Sequence, residues 1–142
     1  MSGLSFERLL DVDIRKAFTH EATVFTPWLA DNLDRLAEAL GFNLELVTRE
    51  AAVEGFSADI LARCPEDDAM VLIENQLGGS DHGHLGQIMT YLAGLEARSV
   101  VWIATDFRDE HLSAIRWLNT HTAEQFTFYA VRLRVVRIGE SP

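Results

Sequence analysis

Two short apolar runs separated by a turn-like segment constrain the fold of this 142-residue chain more than any other feature. The runs are SADILAR and AMVLIENQ, and the segment between them is CPEDDA. Strands that are apolar on both faces are typical of the interior of a sheet that is covered on each side. We therefore predict a β-hairpin of buried central strands.

The predicted hairpin carries acidic residues at interior positions. If the two strands are symmetric about CPEDDA, Asp59 lies opposite Glu74, with Cβ atoms about 4.5–5.5 Å apart. Two carboxylates at that separation repel each other unless a proton or a cation lies between them. Gln76 points the same way as Glu74 because side chains alternate along a strand. The three side chains offer oxygen ligands that suit a hard divalent cation such as Mg²⁺.

A different register or exposed strand ends would remove this pairing of acids. A shift of one residue would send either Asp59 or Glu74 to the other face of the sheet. Acids at strand ends would simply reach water. An Asp and a Glu at matching positions inside two apolar runs favour the paired arrangement.

The residues around the hairpin predict three helices and three further strands. The helices are FTPWLADNLDRLAEALG, HLGQIMTYLAGLEA and DEHLSAIRWLNTHT, and the strands are NLELVTREAAV, SVVWIAT and FTFYAVRLRVVRI. Thr26 is the predicted N-cap of the first helix, and Gly41 follows its C-terminal end. The predicted inward face of the second helix is Leu85, Ile88, Met89, Leu92 and Leu95. The order α-β-β-β-α-β-α-β predicts an α/β fold, with a central mixed β-sheet flanked by helices, in a single domain over residues 1–142.

The net charge of −10 limits the partners that the chain can bind. It comes from 12 basic and 22 acidic residues, and it opposes unspecific binding to nucleic acid and to anionic membranes. No apolar run approaches the ~18 residues of a membrane span, so we expect no membrane partner. A single cysteine favours a reducing, cytoplasmic location. Arg132, Arg134 and Arg137 on the last strand form a local basic strip for DNA, or else a solvated edge strand guarded by charge.

The second predicted helix carries polar residues at helical spacing. His84, Gln87 and Tyr91 fall on one stripe, where they could position a phosphate or an attacking water. The alternative is that Tyr91 packs its ring and Gln87 faces solvent.

A zinc site is a competing interpretation of the histidines. Its ligands would be Asp81, His82 and His84, with His111 or His121. A hydrolytic zinc site needs three ligands in fixed geometry, and Asp81 can also cap the helix, so structural or substrate-contacting histidines are preferred. The three tryptophans lie in apolar periodic segments and are predicted to pack in the core rather than to stack on bases: Trp28, Trp102 and Trp117.

Taken together, these segments resemble the PD-(D/E)XK nuclease superfamily. The resemblance rests on the block IENQLGGSDHGHLGQIMTYLAGL, with FTPWLADN before it and EHLSAIRWLN after it, and it covers most of the chain. The run QIMTY looks like the QxxxY motif of the RecB-like branch, and the whole block is similar to that of a bacterial group with this fold. The resemblance implies a restriction-endonuclease-like fold and a divalent-metal-dependent DNA endonuclease that hydrolyses phosphodiester bonds.

The resemblance also implies roles for individual residues. Asp59 and Glu74 would hold Mg²⁺ or Mn²⁺, and Gln87 and Tyr91 would occupy the helix motif. Gln76 stands where the superfamily usually has a lysine that orients and helps to deprotonate the attacking water. Glutamine can orient water by hydrogen bonding, but it cannot act as a base near neutral pH.

An acid on the first helix is common in the superfamily, and Glu21 is the candidate, with Glu38 as the fallback. A second function, favoured by the net charge and by Gln76, is a catalytically weak or inactive nuclease-fold module that binds DNA or a protein partner. The sequence leaves open a homodimer, a further C-terminal domain of a longer protein, and the choice between DNA and RNA.

Overall fold

The computed structural model describes residues 10–14, 26–53, 56–75 and 80–135, so Glu21, Gln76 and Arg137 lie outside the described residues. The described residues form six strands and four helices. In chain order they are β1 (Leu10–Ile14), α1 (Thr26–Asp31), α2 (Leu33–Leu40), β2 (Glu45–Val53), β3 (Phe56–Cys64), β4 (Ala69–Asn75), α3 (His82–Leu95), β5 (Ser99–Ala104), α4 (Asp109–His121) and β6 (Thr127–Val135).

One mixed sheet contains the six described strands, in the order β1-β6-β5-β4-β3-β2. Strands β2, β3 and β4 form an antiparallel meander, whereas β4, β5, β6 and β1 run parallel. Helices α3 and α4 return the chain between parallel strands, as crossover connections do. The predicted α/β class and mixed sheet are confirmed. Strand β1 is an addition to the predicted order, and it places β6 inside the described sheet rather than at its edge.

Helices cover both faces of the sheet. On the face that we call the α1–α2 face, Leu36 packs against strand residues that include Ile73. On the opposite α3–α4 face, Ile88 packs against strand residues that include Leu72 and Trp102. Burial of apolar surface on both sides is the main force that holds such layers together. None of the described helices is long and apolar enough to cross a membrane.

The central hairpin has the predicted register. Arg63 pairs with Met70 across β3 and β4, as expected for strands symmetric about the turn. In the turn, the Asp68 nitrogen donates to the Cys64 carbonyl at 2.8 Å. Asp68 has a φ of 64°, a left-handed conformation that Asp adopts more readily than most residues. The local turn therefore fixes which residues of the two strands meet.

The first predicted helix is broken into α1 and α2 at Asn32. The Asn32 side-chain amide donates to the Trp28 carbonyl at 2.7 Å, so it competes with the regular helical hydrogen bonds. Gly41 ends α2 with a φ of 91°, which confirms the predicted glycine cap. The predicted N-cap role of Thr26 is wrong, because Thr26 lies within α1 and its hydroxyl bonds to Asn75 of β4.

Two predicted core residues lie on the surface. Met89 is 39% exposed and Trp117 is 58% exposed, whereas Trp102 is fully buried. Helix α3 turns Ile88 and Tyr91 toward the sheet, and this orientation turns the adjacent Met89 outward. The Trp117 ring instead stacks on the His121 ring of the same helix, with centroids 4.5 Å apart. Trp28 is partly buried against the α1–α2 face.

Candidate active site

The hairpin brings two acidic residues to neighbouring positions. Ile60 pairs with Ile73 in the antiparallel register, so the next positions along the two strands are Asp59 and Glu74. The Asp59 Oδ2 atom accepts a hydrogen bond from the Asn75 backbone nitrogen at 3.0 Å. This bond turns the Asp59 side chain toward β4, where Glu74 lies.

Both acids lie on the α3–α4 face of the sheet. Asp59 is two positions from Leu61 and Glu74 is two positions from Leu72, so each acid shares a face with its leucine, and both leucines belong to the core under α3. Glu74 is only 4% exposed, while Asp59 is partly buried. A carboxylate that is withdrawn from water in this way needs compensation from a cation, a proton or hydrogen bonds.

Tyr91 closes the site from helix α3. Its side chain is 4% exposed. Burial raises the pKa of Tyr91, and the charges of Glu74 and then Asp59 raise it further. Tyr91 belongs to the same core as Leu61 and Leu72, which share the face of the two acids. The phenol stays protonated at neutral pH and keeps an O–H donor.

The predicted polar stripe on α3 is only partly correct. Tyr91 faces the sheet, but Gln87 is exposed and His84 is half-buried. The Asp81 carboxylate caps the helix by accepting from the His84 nitrogen at 2.7 Å, as predicted. The structure shows no hydrogen bond from Gln87 to either carboxylate among the described residues.

The structure contains a buried polar pair behind the hairpin that was not predicted from the sequence. The Asn75 amide donates to the Thr26 hydroxyl at 3.0 Å, and both residues are buried. Asn75 alternates with Glu74 and so points to the α1–α2 face. The pair ties the start of α1 to the strand that carries Glu74. The Asn in IENQ could have predicted a buried polar contact, because a polar residue in an apolar strand requires a partner.

The remaining predicted site residues do not add a described ligand. Glu21 and Gln76 lie outside the described residues. Glu38, the fallback acid, lines an open cavity of 990 Å³ together with Val71 and Ser99. This cavity lies at the opposite end of β4 from Glu74, away from the acid pair.

The histidines do not converge on a metal. Within the described ranges, no group of three or more His, Cys, Asp or Glu side chains is arranged to hold a metal ion. His82 bonds to His111 at 2.7 Å, whereas His84 bonds to Asp81 at 2.9 Å. His121 stacks on Trp117 instead. The zinc alternative therefore has no support in the described structure.

The basic strip of the last strand has acidic neighbours. Asp11 lies beside Arg132 in the parallel register of β1 and β6, and Asp13 lies beside Arg134. In this backbone register, acidic positions of β1 are paired with arginine positions of β6. The edge-strand alternative is wrong because β1 covers this side of β6.

Asp59 and Glu74 fit a divalent cation by their chemistry. Mg²⁺ commonly binds through one or two carboxylates and keeps several waters. Two acids from adjacent strands supply these ligands, and a cation between them compensates their negative charges. The donor set does not fit zinc, which prefers His and Cys ligands.

Solved structures share this architecture, although no protein-family model and no curated protein matches the sequence. A repair endonuclease from Pyrococcus abyssi has a TM-score of 0.58 at 13% identity, covering 82% of this chain and 49% of that chain. EndoMS, in a complex with double-stranded DNA, has a TM-score of 0.57 at 16% identity, covering 83% and 47%. The chain has a nuclease-like fold. It spans about half the length of each of these two structures.

Proposed function

We propose that the chain is a divalent-metal-dependent DNA endonuclease that hydrolyses phosphodiester bonds. The supporting observation is that Asp59 and Glu74 lie at neighbouring strand positions on one covered face, under the helix that carries the buried Tyr91. The nuclease-like fold and the resemblance of IENQ and QIMTY to the RecB-like branch of the PD-(D/E)XK superfamily support the same assignment. Structural neighbours that act on or bind DNA make DNA the favoured substrate.

Asp59 and Glu74 would hold Mg²⁺ or Mn²⁺ through their carboxylate oxygens. A bound cation of this kind supplies Lewis-acid polarisation of the phosphate and makes a bound water more acidic. The Asn75 nitrogen fixes one oxygen of Asp59, so the ligand is oriented before any cation arrives. This preorganisation lowers the cost of binding.

Gln76 and Tyr91 are proposed to orient the reacting groups. Gln76 would hold the attacking water by a hydrogen bond, and the Tyr91 O–H would donate to the site from α3. Tyr91 can do this at neutral pH because its raised pKa keeps the phenol protonated. The exposed Gln87 would contact substrate rather than the carboxylates, and Glu21 would add a third acid.

A nuclease-fold module without catalysis is the second candidate. Two observations favour it: the net charge of −10, and the acids Asp11 and Asp13 beside Arg132 and Arg134. Both weaken attraction to phosphate. In that case the same face would dock DNA or a protein partner without cleavage.

Cleavage of DNA by purified variants separates the two functions. With Mn²⁺ or Mg²⁺ at low salt, wild type is expected to cleave, and Glu74→Ala is expected to lose cleavage while keeping its far-UV circular dichroism. Glu124→Ala is the matched control, because Glu124 is exposed. If wild type is inert on single- and double-stranded DNA with either metal, the enzyme assignment fails and the binding module remains.

Gln76→Lys tests the water-orienting role more directly. A lysine supplies the positive charge that glutamine lacks, so cleavage should persist or rise. A loss of cleavage in Gln76→Lys with unchanged metal binding would show that Gln76 does not occupy the expected position.

A further inference from the structure

A chain of buried hydrogen bonds joins the starts of α3 and α4. The Ser80 hydroxyl lies 2.6 Å from His111 Nδ1, and His111 Nε2 lies 2.7 Å from His82 Nδ1. Ser80 and His111 are almost completely buried, with 4% and 1% exposure, whereas His82 is exposed. We call these three residues the His82 chain. It contains two titratable groups that the proposed reaction does not use.

The donors and acceptors of the His82 chain can be assigned in order. The Arg108 nitrogen donates to Ser80 Oγ at 2.9 Å, so the hydroxyl proton remains available to His111 Nδ1. His111 then carries its proton on Nε2 and donates to His82 Nδ1. The outer nitrogen of His82 is left as the N–H that faces solvent. Every bond in this order is satisfied with both imidazoles neutral.

The His82 chain lies beside elements that form the candidate site. The His111 ring packs on the Trp102 ring with centroids 5.6 Å apart. Trp102 is the parallel partner of Glu74 across β4 and β5. Tyr91 projects from the same helix as His82 and feels the charges of both carboxylates. A bond between His82 and His111 therefore connects the helix that carries Tyr91 to the helix that packs behind Trp102.

We propose that His82 and His111 are positioning residues that hold helix α3, and with it Tyr91, over Asp59 and Glu74. The inference rests on the proposed function for the role of Tyr91, while the tie between the two helices stands on its own contacts.

The charged and titratable groups facing His111 are His82 and Asp81 from the start of α3, and Arg108 and Glu110 from the start of α4. The neighbour from β5 is the uncharged ring of Trp102.

The electrostatics agree with a neutral His111 at physiological pH. Burial lowers the pKa of His111 below its usual value, and the charge of His82 lowers it further. The neutral ring is therefore retained in the folded protein when free imidazole would begin to protonate, near pH 6.5. As the pH falls below that value, the unfolded chain gains the proton first, so the contribution of His111 to stability declines.

His82→Asn and His82→Ala test the tie. Asparagine places an oxygen near the position of Nδ1, so it can accept from His111, whereas alanine removes the acceptor. The Tyr91 ring resonances are followed by NMR in a Tyr129→Phe background, where Tyr91 is the remaining tyrosine. We expect shifted Tyr91 resonances in His82→Ala at pH 7.5. His82→Asn should resemble the protein with His82 under the same conditions.

Mn²⁺ affinity, measured by calorimetry, is the second readout. We expect His82→Ala to weaken binding by threefold to tenfold and His82→Asn to restore it, with His121→Ala as the matched control on α4. Tyr91 resonances that do not respond to His82→Ala would overturn the tie. Tyr91 resonances that respond as expected in a wild type that binds no Mn²⁺ would support the tie and refute the proposed function.

Discussion

Single side chains decide the chemistry of this fold. Asp59, Glu74 and Tyr91 come from β3, β4 and α3, and their electrostatic interaction depends on burial of the last two. Sequence alone predicts the pairing of the acids, because two apolar runs and a short turn restrict the register. It does not predict that Tyr91 faces inward while Gln87 is exposed, because the rotation of a helix about its axis depends on the surface that it meets.

Asp59→Asn should separate metal binding from folding. The amide keeps an oxygen that can accept from the Asn75 nitrogen, but it removes a charge beside Glu74. We expect unchanged or higher stability without metal. Wild type should gain about 2.7 kcal/mol at a Mg²⁺ concentration 100 times its Kd, measured by thermal unfolding, and the variant should gain almost nothing. An equal gain in both proteins would place the metal elsewhere.

Tyr91→Phe removes the phenol O–H but keeps the ring in the core. We expect cleavage to fall by one to two orders of magnitude with little change in stability at pH 7. The raised pKa of Tyr91 means that stability falls as the pH rises above about 10, where the unfolded chain releases the proton. Tyr91→Phe should flatten this alkaline loss.

Tyr129→Phe is the matched control for Tyr91→Phe. Burial also raises the pKa of Tyr129, so this variant should flatten the alkaline loss in the same direction. Tyr129 belongs to the α1–α2 face, and its substitution should leave cleavage unchanged. Equal losses of cleavage in the two variants would contradict a specific role for Tyr91.

At the scale of elements, one hydrogen bond ties the short helices before β2 to the strand that carries Glu74. The predicted continuous helix is broken at Asn32, and its first residue bonds to Asn75 rather than capping the helix. Helix periodicity and glycine at the C-terminal end could be predicted from sequence. The bond between Thr26 and Asn75 could not, because it joins residues whose proximity is created by the sheet.

Thr26→Val should reveal the strength of this bond. Valine matches the shape of threonine but leaves the Asn75 amide buried without the hydroxyl, at a cost of about 1–3 kcal/mol. Urea unfolding should show this loss, and Thr26→Ser should retain most of the stability because it retains the hydroxyl. Identical stabilities for Thr26→Val and wild type would show that the amide finds another partner.

At the scale of the whole molecule, the negative net charge opposes the proposed binding of DNA. The order of the predicted elements correctly indicates an α/β chain, but the net charge of −10 does not favour a surface for DNA. Strand β1 adds to this opposition, because acidic positions of β1 pair with arginine positions of β6. A five-residue strand with two aspartates gives a weak pattern, so this pairing could not be predicted from the sequence.

DNA binding by the isolated chain should depend only weakly on salt. Each phosphate that is neutralised contributes about −0.9 to the slope of log K against log salt. With acids beside the described strip, we expect a slope no steeper than about −3, measured by fluorescence anisotropy in Ca²⁺ between 50 and 200 mM salt. A slope near −6 or steeper would require a larger cationic surface than β6 offers.

The β3–β4 hairpin also sets the order in which the molecule can assemble. Asp59 and Glu74 are close in sequence, whereas β1 pairs with β6 across almost the whole chain. Hairpins close in about 1–10 μs, and pairings between distant segments form much more slowly. The two carboxylates should therefore meet and repel in a partly folded chain, before the sheet is complete. A divalent cation present during refolding is then expected to accelerate folding by bridging the hairpin, so the ligand of the finished protein would also serve as a template for its formation.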